Sequence, residues 1–163
     1  KVCQEKNLNA KAMALENVKE KFDCATAIFD VLNYISKRDL KKFLKEINLV
    51  LNQGGYFIFD VNSAFGFEEV AQGTITIDVE DKFIAIDANF EDNKLQTDIT
   101  LFEKQENGFF SKQSDSIIQE YHPKKSLLKF LKECNFEIQE IKKFNLHTDE
   151  HADKLIFICK KIA

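Results

Sequence analysis

The sequence predicts an α/β protein: part of a doubly wound sheet, interrupted by an antiparallel β meander and closed by a last strand that runs against the others. Three observations carry this. Between residues 22 and 63 an apolar run, a capped helix, a glycine pair and a second apolar run follow one another, the order of a parallel β-α-β unit with a right-handed crossover. From about residue 73 to 121 the pattern changes to alternation with period two, as antiparallel hairpins require. The final apolar runs, FEIQEIKKF and KLIFICKKI, leave no room for a crossover helix, so they pair antiparallel or sit apart.

Each element follows from local chemistry. Residues 1–7 read as the end of a helix, and residues 10–15 as a short strand after a turn. The run FDCATAIFDVLNYI begins with small and β-branched side chains, which suits a strand buried on both faces. Ser36 with Asp39 three residues later resembles a capping box with Asp in place of Glu. Leu40, Phe43, Leu44, Ile47 and Leu51 then recur at helical spacing, with Lys41, Lys42, Lys45 and Glu46 on the solvated side. Gly54 and Gly55 are expected to stop this helix, since glycine takes the left-handed turn without a Cβ penalty. YFIFDVNS follows as a central strand with Asp60 and Asn62 at its tip.

TITIDVEDKFIAIDANF, KLQTDITLFEK and FFSKQSDSIIQEY read as a three-stranded meander, divided by EDN and by Asn107-Gly108. Pro123 opens a last helix with the stripe Leu127, Leu128, Phe130 and Leu131, and Asn135 stops it. At 163 residues the chain suits one domain, with a core over 1–72 and 122–163 and an inserted β layer over about 73–121. Hydrophobic residues make up 44% and charged ones 31%, with a net charge of -4 and interleaved signs. That balance offers no basic face for nucleic acid.

Cys3, Cys24, Cys134 and Cys159 form no CxxC pair, and buried free thiols in a reducing compartment are expected. No apolar run reaches the length of about 20 residues that spans a bilayer. The expected compartment is the cytoplasm, with no membrane partner. The chain opens without Met inside a helical pattern, so further residues are expected before Lys1.

In an open α/β sheet, ligands sit at the carboxyl ends of the strands, which puts residues 29–34 and 60–63 on one rim. Two readings stay open for several of them. Asn33 and Tyr34 serve the pocket or form a helix-entry turn with a packed ring. Asp60 faces a ligand or caps a following helix. His122 reaches the pocket as a base or simply precedes the helix. His147 and His151 have the H-x3-H spacing of a zinc pair, but lie in a charged turn without a third ligand, and no metal is expected. The rings Phe83, Phe90, Phe102, Phe109 and Phe110 form a lid over an apolar small molecule or the packed core of the meander.

The phrases FDCATAIFDVLNYI and LNQGGYFIFDVNS, in this order and spacing, resemble the class I S-adenosylmethionine-dependent methyltransferases, a Rossmann-like doubly wound family. The likeness is to the small-molecule type that carries an antiparallel insertion. LLKFLKECNFEIQEIKKF is similar to that family's last helix and sixth strand, with Asn135 where Gly is usual. The resemblance implies methyl transfer from S-adenosylmethionine to a small-molecule acceptor. It places Met13, Ala14 and Phe29 on the adenine and methionine side of the cofactor. Asp30, Asn33 and Tyr34 lie between cofactor and acceptor as the catalytic group, and Tyr34, Asp60, Asn62 and His122 face the acceptor.

The family's GxGxG loop and its ribose-binding acidic residue have no counterpart in this sequence, so the chain alone is expected to hold the cofactor poorly or not at all. Two other classes compete with the enzyme. One is a non-catalytic methyltransferase-like interaction module. The other, half of a nicotinamide-dependent oxidoreductase, is disfavoured by the meander and the adjacent final strands. Without the family's first strands the flank of the Phe22 strand is open, which predicts a homodimer or an element-exchanged oligomer.

Overall fold

The computed structural model describes residues 2–146 and 151–162, with the side chains of Cys3 and Gln4 left aside. A short helix α1 (Val2–Glu5) leads into extended chain and a single turn at Leu15–Asn17. Strand β1 (Phe22–Ala27), helix α2 (Lys37–Val50) and strand β2 (Leu51–Asn62) form the β-α-β unit, with β1 and β2 parallel. The meander is β3 (Gly73–Val79), β4 (Lys82–Glu91), β5 (Lys94–Lys104) and β6 (Phe110–Glu120). Helix α3 (Lys124–Glu133) and strands β7 (Phe136–Phe144) and β8 (Lys154–Lys161) complete the chain.

Two four-stranded sheets result, β1-β2-β8-β7 and β3-β4-β5-β6. The last strand threads between β2 and β7, antiparallel to both, so the closing strands pair as the missing crossover demands. Helices α2 and α3 cover one face of the first sheet. Leu40, Leu44 and Ile47 of α2 and Leu127 and Leu131 of α3 bury there against Phe57, Phe59, Phe157 and Cys159. Phe59 stacks on Phe157 across the β2–β8 pair, with ring centres 4.8 Å apart. Tyr56, Ile58 and Ile156 point to the other face and belong to no buried cluster among the described residues. Burial pushes the Cys159 thiol up to about 12.

The Ser36 cap forms as expected, its Oγ accepting from Asp39 N–H at 3.2 Å and donating to Asp39 Oδ2 at 2.6 Å. Asn135 ends α3 in the left-handed region, at φ 60°. Several expectations are corrected. Residues 10–15 form no strand, because extended chain needs a neighbouring ladder and none runs beside them. β1 is mostly exposed rather than buried on both faces, since it is the sheet edge and only β2 flanks it. Cys24 on that strand is exposed too.

Helix α2 ends at Val50, before the glycine pair, and Leu51 already belongs to β2. The glycines instead build a bulge: Phe22 pairs with Leu51 but Cys24 with Tyr56, so several residues of β2 oppose one of β1. Gly54 sits at φ +77°, and a Cβ on Gly55 would lie 2.9 Å from the Asn52 carbonyl oxygen and 3.1 Å from that of Asp23. The meander has four strands rather than three, because TITIDVEDKFIAIDANF folds back on itself between Val79 and Lys82. The bend at Glu80 and Asp81 carries no glycine or asparagine and no positive φ, so the usual hairpin signal is absent. Phe109 and Phe110 are exposed rather than part of a packed layer.

The Gly55 contact yields a stability prediction. Gly55→Ala should destabilise the fold by about 1–3 kcal/mol, as for other overpacked sites, because two backbone carbonyls must move. Gly108→Ala meets nothing within 4 Å and suffers only the left-handed backbone penalty, on the order of 1 kcal/mol. Urea denaturation of both variants checks the order.

Candidate functional site

At the carboxyl end of β1 the chain turns through two consecutive left-handed residues, Phe29 at φ 66° and Asp30 at φ 59°. Asp tolerates that region, but a bulky side chain such as Phe adopts it rarely and at a cost of roughly 1–2 kcal/mol. Phe29 repays none of this by packing, for it is 83% exposed. The strain turns its ring outward at the rim and aims Asp30 back toward β2. A tight turn over Val31–Tyr34 follows.

Asn33 in that turn is fully buried. Its Nδ2 donates to the Glu120 carbonyl at 2.8 Å, and its Oδ1 accepts from Asn62 N–H at 3.0 Å. One side chain therefore ties together the ends of β1, β2 and β6. His122 reinforces the junction, its Nε2 lying 2.9 Å and 3.1 Å from the carbonyl oxygens of Leu32 and Ile35.

Beside this junction a cavity of about 390 Å³ opens at the strand ends. Ile28, Phe29, Ile58, Phe144, Leu146 and Ile156 give it apolar walls, and Asp60 and Lys154 close one end. Lys154, the first residue of β8, forms ion pairs with Asp30 and with Asp60 Oδ2, the latter at 3.1 Å. The Asp30 N–H also donates to Asp60 Oδ2 at 3.3 Å. Asp60 is 7% exposed, and its Oδ1 is buried without a hydrogen-bond partner among the described residues.

The carboxylates respond differently. Burial, helped by the neighbouring Asp60, raises Asp30 above the ordinary carboxylate range despite Lys154. Burial pushes Asp60 up as well, but hydrogen bonds from Asp30 and Lys154 outweigh it and leave Asp60 lowered. Burial would lower Lys154, yet its two carboxylate partners win and raise it.

Of the residues expected at the site, Phe29 and Asp60 line this cavity, Asp30 stands behind its wall on Lys154 and Asp60, and Asn33 is bonded to Asn62 at the adjoining junction. Tyr34 is exposed on the same turn and does not line it. Met13 lies along a separate groove of about 480 Å³ beside Phe22, Cys24 and Thr26, and Ala14 is exposed just before the Leu15–Asn17 turn. His147, Asp149 and Glu150 lie outside the described residues. His151 is exposed, its ring 5.1 Å from that of Phe65.

Sequence reading missed Lys154. The local signal is a lysine just before the apolar run over residues 155–159, and its place beside Asp60 depends on β8 threading next to β2.

Two outcomes follow from this geometry. Replacing Lys154 with Met leaves two carboxylates at one buried end without their cation, at a cost of about 2–4 kcal/mol near neutral pH. The intact site keeps stability from lowered Asp60 above the unfolded carboxylate value and loses it as pH falls through the folded one. It keeps the Lys154 contribution below the unfolded lysine value and loses it as pH rises through the folded one. The Lys154→Met variant should regain stability as pH falls from neutrality and one carboxylate takes up a proton, more steeply than the intact site, whose Asp60 and Lys154 titrate outside that window; urea midpoints of the two proteins across the acid range test the difference. Phe29→Asn should raise stability by roughly 0.5–1 kcal/mol, because Asn accepts the left-handed region and little packing is lost; a higher thermal midpoint is the expected reading.

No family model and no curated protein matches the sequence. Solved structures do. An S-adenosylmethionine-dependent methyltransferase from Clostridium acetobutylicum ATCC 824 superposes at TM-score 0.82 with 23% identity, over 99% of this chain and 69% of that one. A sugar N-methyltransferase from Streptoalloteichus sp. ATCC 53650 gives TM-score 0.75 at 12% identity, over 99% of this chain and 67% of that one. An amino pentose methyltransferase involved in calicheamicin biosynthesis, from Micromonospora echinaspora, gives TM-score 0.66 at 12% identity, over 89% of this chain and 60% of that one. The chain thus spans about two thirds of the length of these structures. Its parallel β-α-β unit, inserted meander and antiparallel last strand are the corresponding part of the Rossmann-like fold of class I S-adenosylmethionine-dependent methyltransferases.

Proposed function

We propose that this chain is the acceptor-side part of an enzyme that transfers a methyl group from S-adenosylmethionine to a small-molecule acceptor. The observation that carries this reading is Asp60 Oδ1, a buried acceptor without a donor at the end of an apolar cavity on the strand-end rim. Such an oxygen costs stability unless a ligand N–H or O–H meets it. The amino pentose and sugar N-methyltransferases among the structural relatives support a small acceptor with such a donor.

Phe29, held outward by its strained backbone, fits an apolar wall for the cofactor, while Met13 and Ala14, expected on the same side, lie apart from it by the groove along β1. When bound, the cofactor supplies an electrophilic methyl group on a sulfonium. This chain's residues do the rest by positioning. Asp60 takes the acceptor's hydrogen bond and orients its lone pair, and Asn62 and Tyr34 lie on the same rim.

Asp30 is the more basic carboxylate of the pair and is suited to receive the proton the acceptor gives up on methylation. Asn33 and His122 hold the rim through backbone carbonyls and Asn62 N–H, so their part in the reaction is to keep reacting atoms aligned. The apolar walls exclude water from the transfer.

On this reading the chain by itself holds the cofactor weakly, because its sequence contains no GxGxG turn. The open flank of β1 supports self-association, as a homodimer or by exchange of elements. No described helix is long and apolar enough to cross a membrane.

The experiment is a thermal melt of this chain and of one extended upstream in its natural gene, with and without S-adenosylhomocysteine at about 100 times its dissociation constant. Selective binding at that excess contributes about 2.7 kcal/mol, a rise on the order of 5–10 °C. A shift in the longer chain alone supports the reading. No shift in either, with both folded, overturns it in favour of a non-catalytic interaction module.

A further inference from the structure

The polar end of the strand-end cavity is out of charge balance. Lys154 is paired with both Asp30 and Asp60 Oδ2, so two largely buried carboxylates share one ammonium. Among the described residues no other charged side chain lines the cavity. Asp60 Oδ1, on a residue 7% exposed, has no hydrogen-bond partner there. With both carboxylates ionised, the chain leaves one acceptor oxygen and one negative charge unanswered at the same spot.

The walls restrict what can fill that gap. Ile58 and Ile156 come from the sheet, Ile28 and Phe29 from the end of β1, and Phe144 and Leu146 from the end of β7. None of these side chains donates or accepts a hydrogen bond. A sugar held here would leave its hydroxyls unpaired against them, a loss larger than one good contact offsets. A hydrocarbon body suffers no such loss and gains by leaving water.

We propose that the molecule this cavity takes is an amine on an apolar body, bound as its ammonium to Asp60 Oδ1 with its hydrocarbon part against the aliphatic and aromatic walls. This deepens the methyl-transfer reading and rests on it only in calling that amine the methyl acceptor. An ammonium supplies both missing things, a donor and a positive charge, whereas a hydroxyl supplies the donor alone. Hydrogen bonds between ionised partners are roughly twice as strong as neutral ones. Phe29 and Phe144 add aromatic surface, which attracts a cation. The ammonium also carries in the one proton that must leave before a nitrogen lone pair can take a methyl group. An amino sugar meets the charge but not the walls.

The test is a set of ligand-observed nuclear magnetic resonance titrations on this chain without cofactor, using phenethylamine, phenethyl alcohol and glucosamine. Phenethyl alcohol keeps the apolar body and loses the charge. Glucosamine keeps the charge and loses the apolar body. Phenethylamine should bind about tenfold more tightly than either, a comparison that needs no variant. Asp60→Asn keeps an acceptor oxygen and removes the charge. It should weaken phenethylamine binding by about the same tenfold while leaving phenethyl alcohol unchanged, with circular dichroism as the check on folding.

Parent affinity for phenethyl alcohol or for glucosamine equal to that for phenethylamine overturns the inference. So does undetectable phenethylamine binding, or a folded Asp60→Asn variant that binds it as the parent does. None of these readouts involves the cofactor. Selective amine binding without a cofactor shift in the longer chain therefore sinks the methyl-transfer reading and leaves the amine site standing.

Discussion

The buried amide of Asn33 is the constraint on which the rest of this structure depends. Its two polar ends meet the Glu120 carbonyl and Asn62 N–H, so it answers the last backbone groups of two strands that belong to different sheets. A buried amide can serve that role only if both ends are satisfied, since a single orphan would cost about as much as the other bond gains. The turn over Val31–Tyr34, the exit of β2 and the return of β6 are therefore fixed together. The His122 ring, bonded to the Leu32 and Ile35 carbonyls, locks the same turn from the far side.

Much of this was legible in the chain, for reasons that differ by element. Ser36 and Asp39 announce α2 because capping is a local hydrogen bond. The Phe57, Phe59 and Phe157 rings announce buried strands because both β2 and β8 are central. Where reading failed, a neighbour decided the outcome. β1 carries the side chains of a central strand but sits at an edge, and nothing in its own residues says which strand lies beyond it. Gly54 and Gly55 look like a helix stop, yet Gly54 takes a left-handed turn inside the strand and Gly55 leaves room for the carbonyls of Phe22 and Asp23 across the sheet. The fold at Glu80 and Asp81 is invisible because that turn needs no positive φ.

The site was legible to the same degree and for the same reason. Asp30 and Asp60 could be placed on one rim because parallel strands bring their carboxyl ends together. That they share Lys154 was not accessible, because a residue on β8 becomes their neighbour only when β8 threads between β2 and β7. His122 invited a catalytic reading from its chemistry alone, and its burial against two carbonyls gives it a structural one.

Strain and orphaned polarity point to the same end of the molecule. Phe29 stays in the left-handed region with its ring in solvent, and Asp60 keeps one oxygen unanswered in a buried setting. Each feature is unfavourable for the chain taken alone. Sequences selected only for folding would relieve them, with Asn or Gly at position 29 and a partner or an apolar residue at position 60. Their coincidence at the mouth of one apolar cavity makes sense if the missing interactions come from a bound molecule: a surface against the exposed ring and a donor to the unpaired carboxylate.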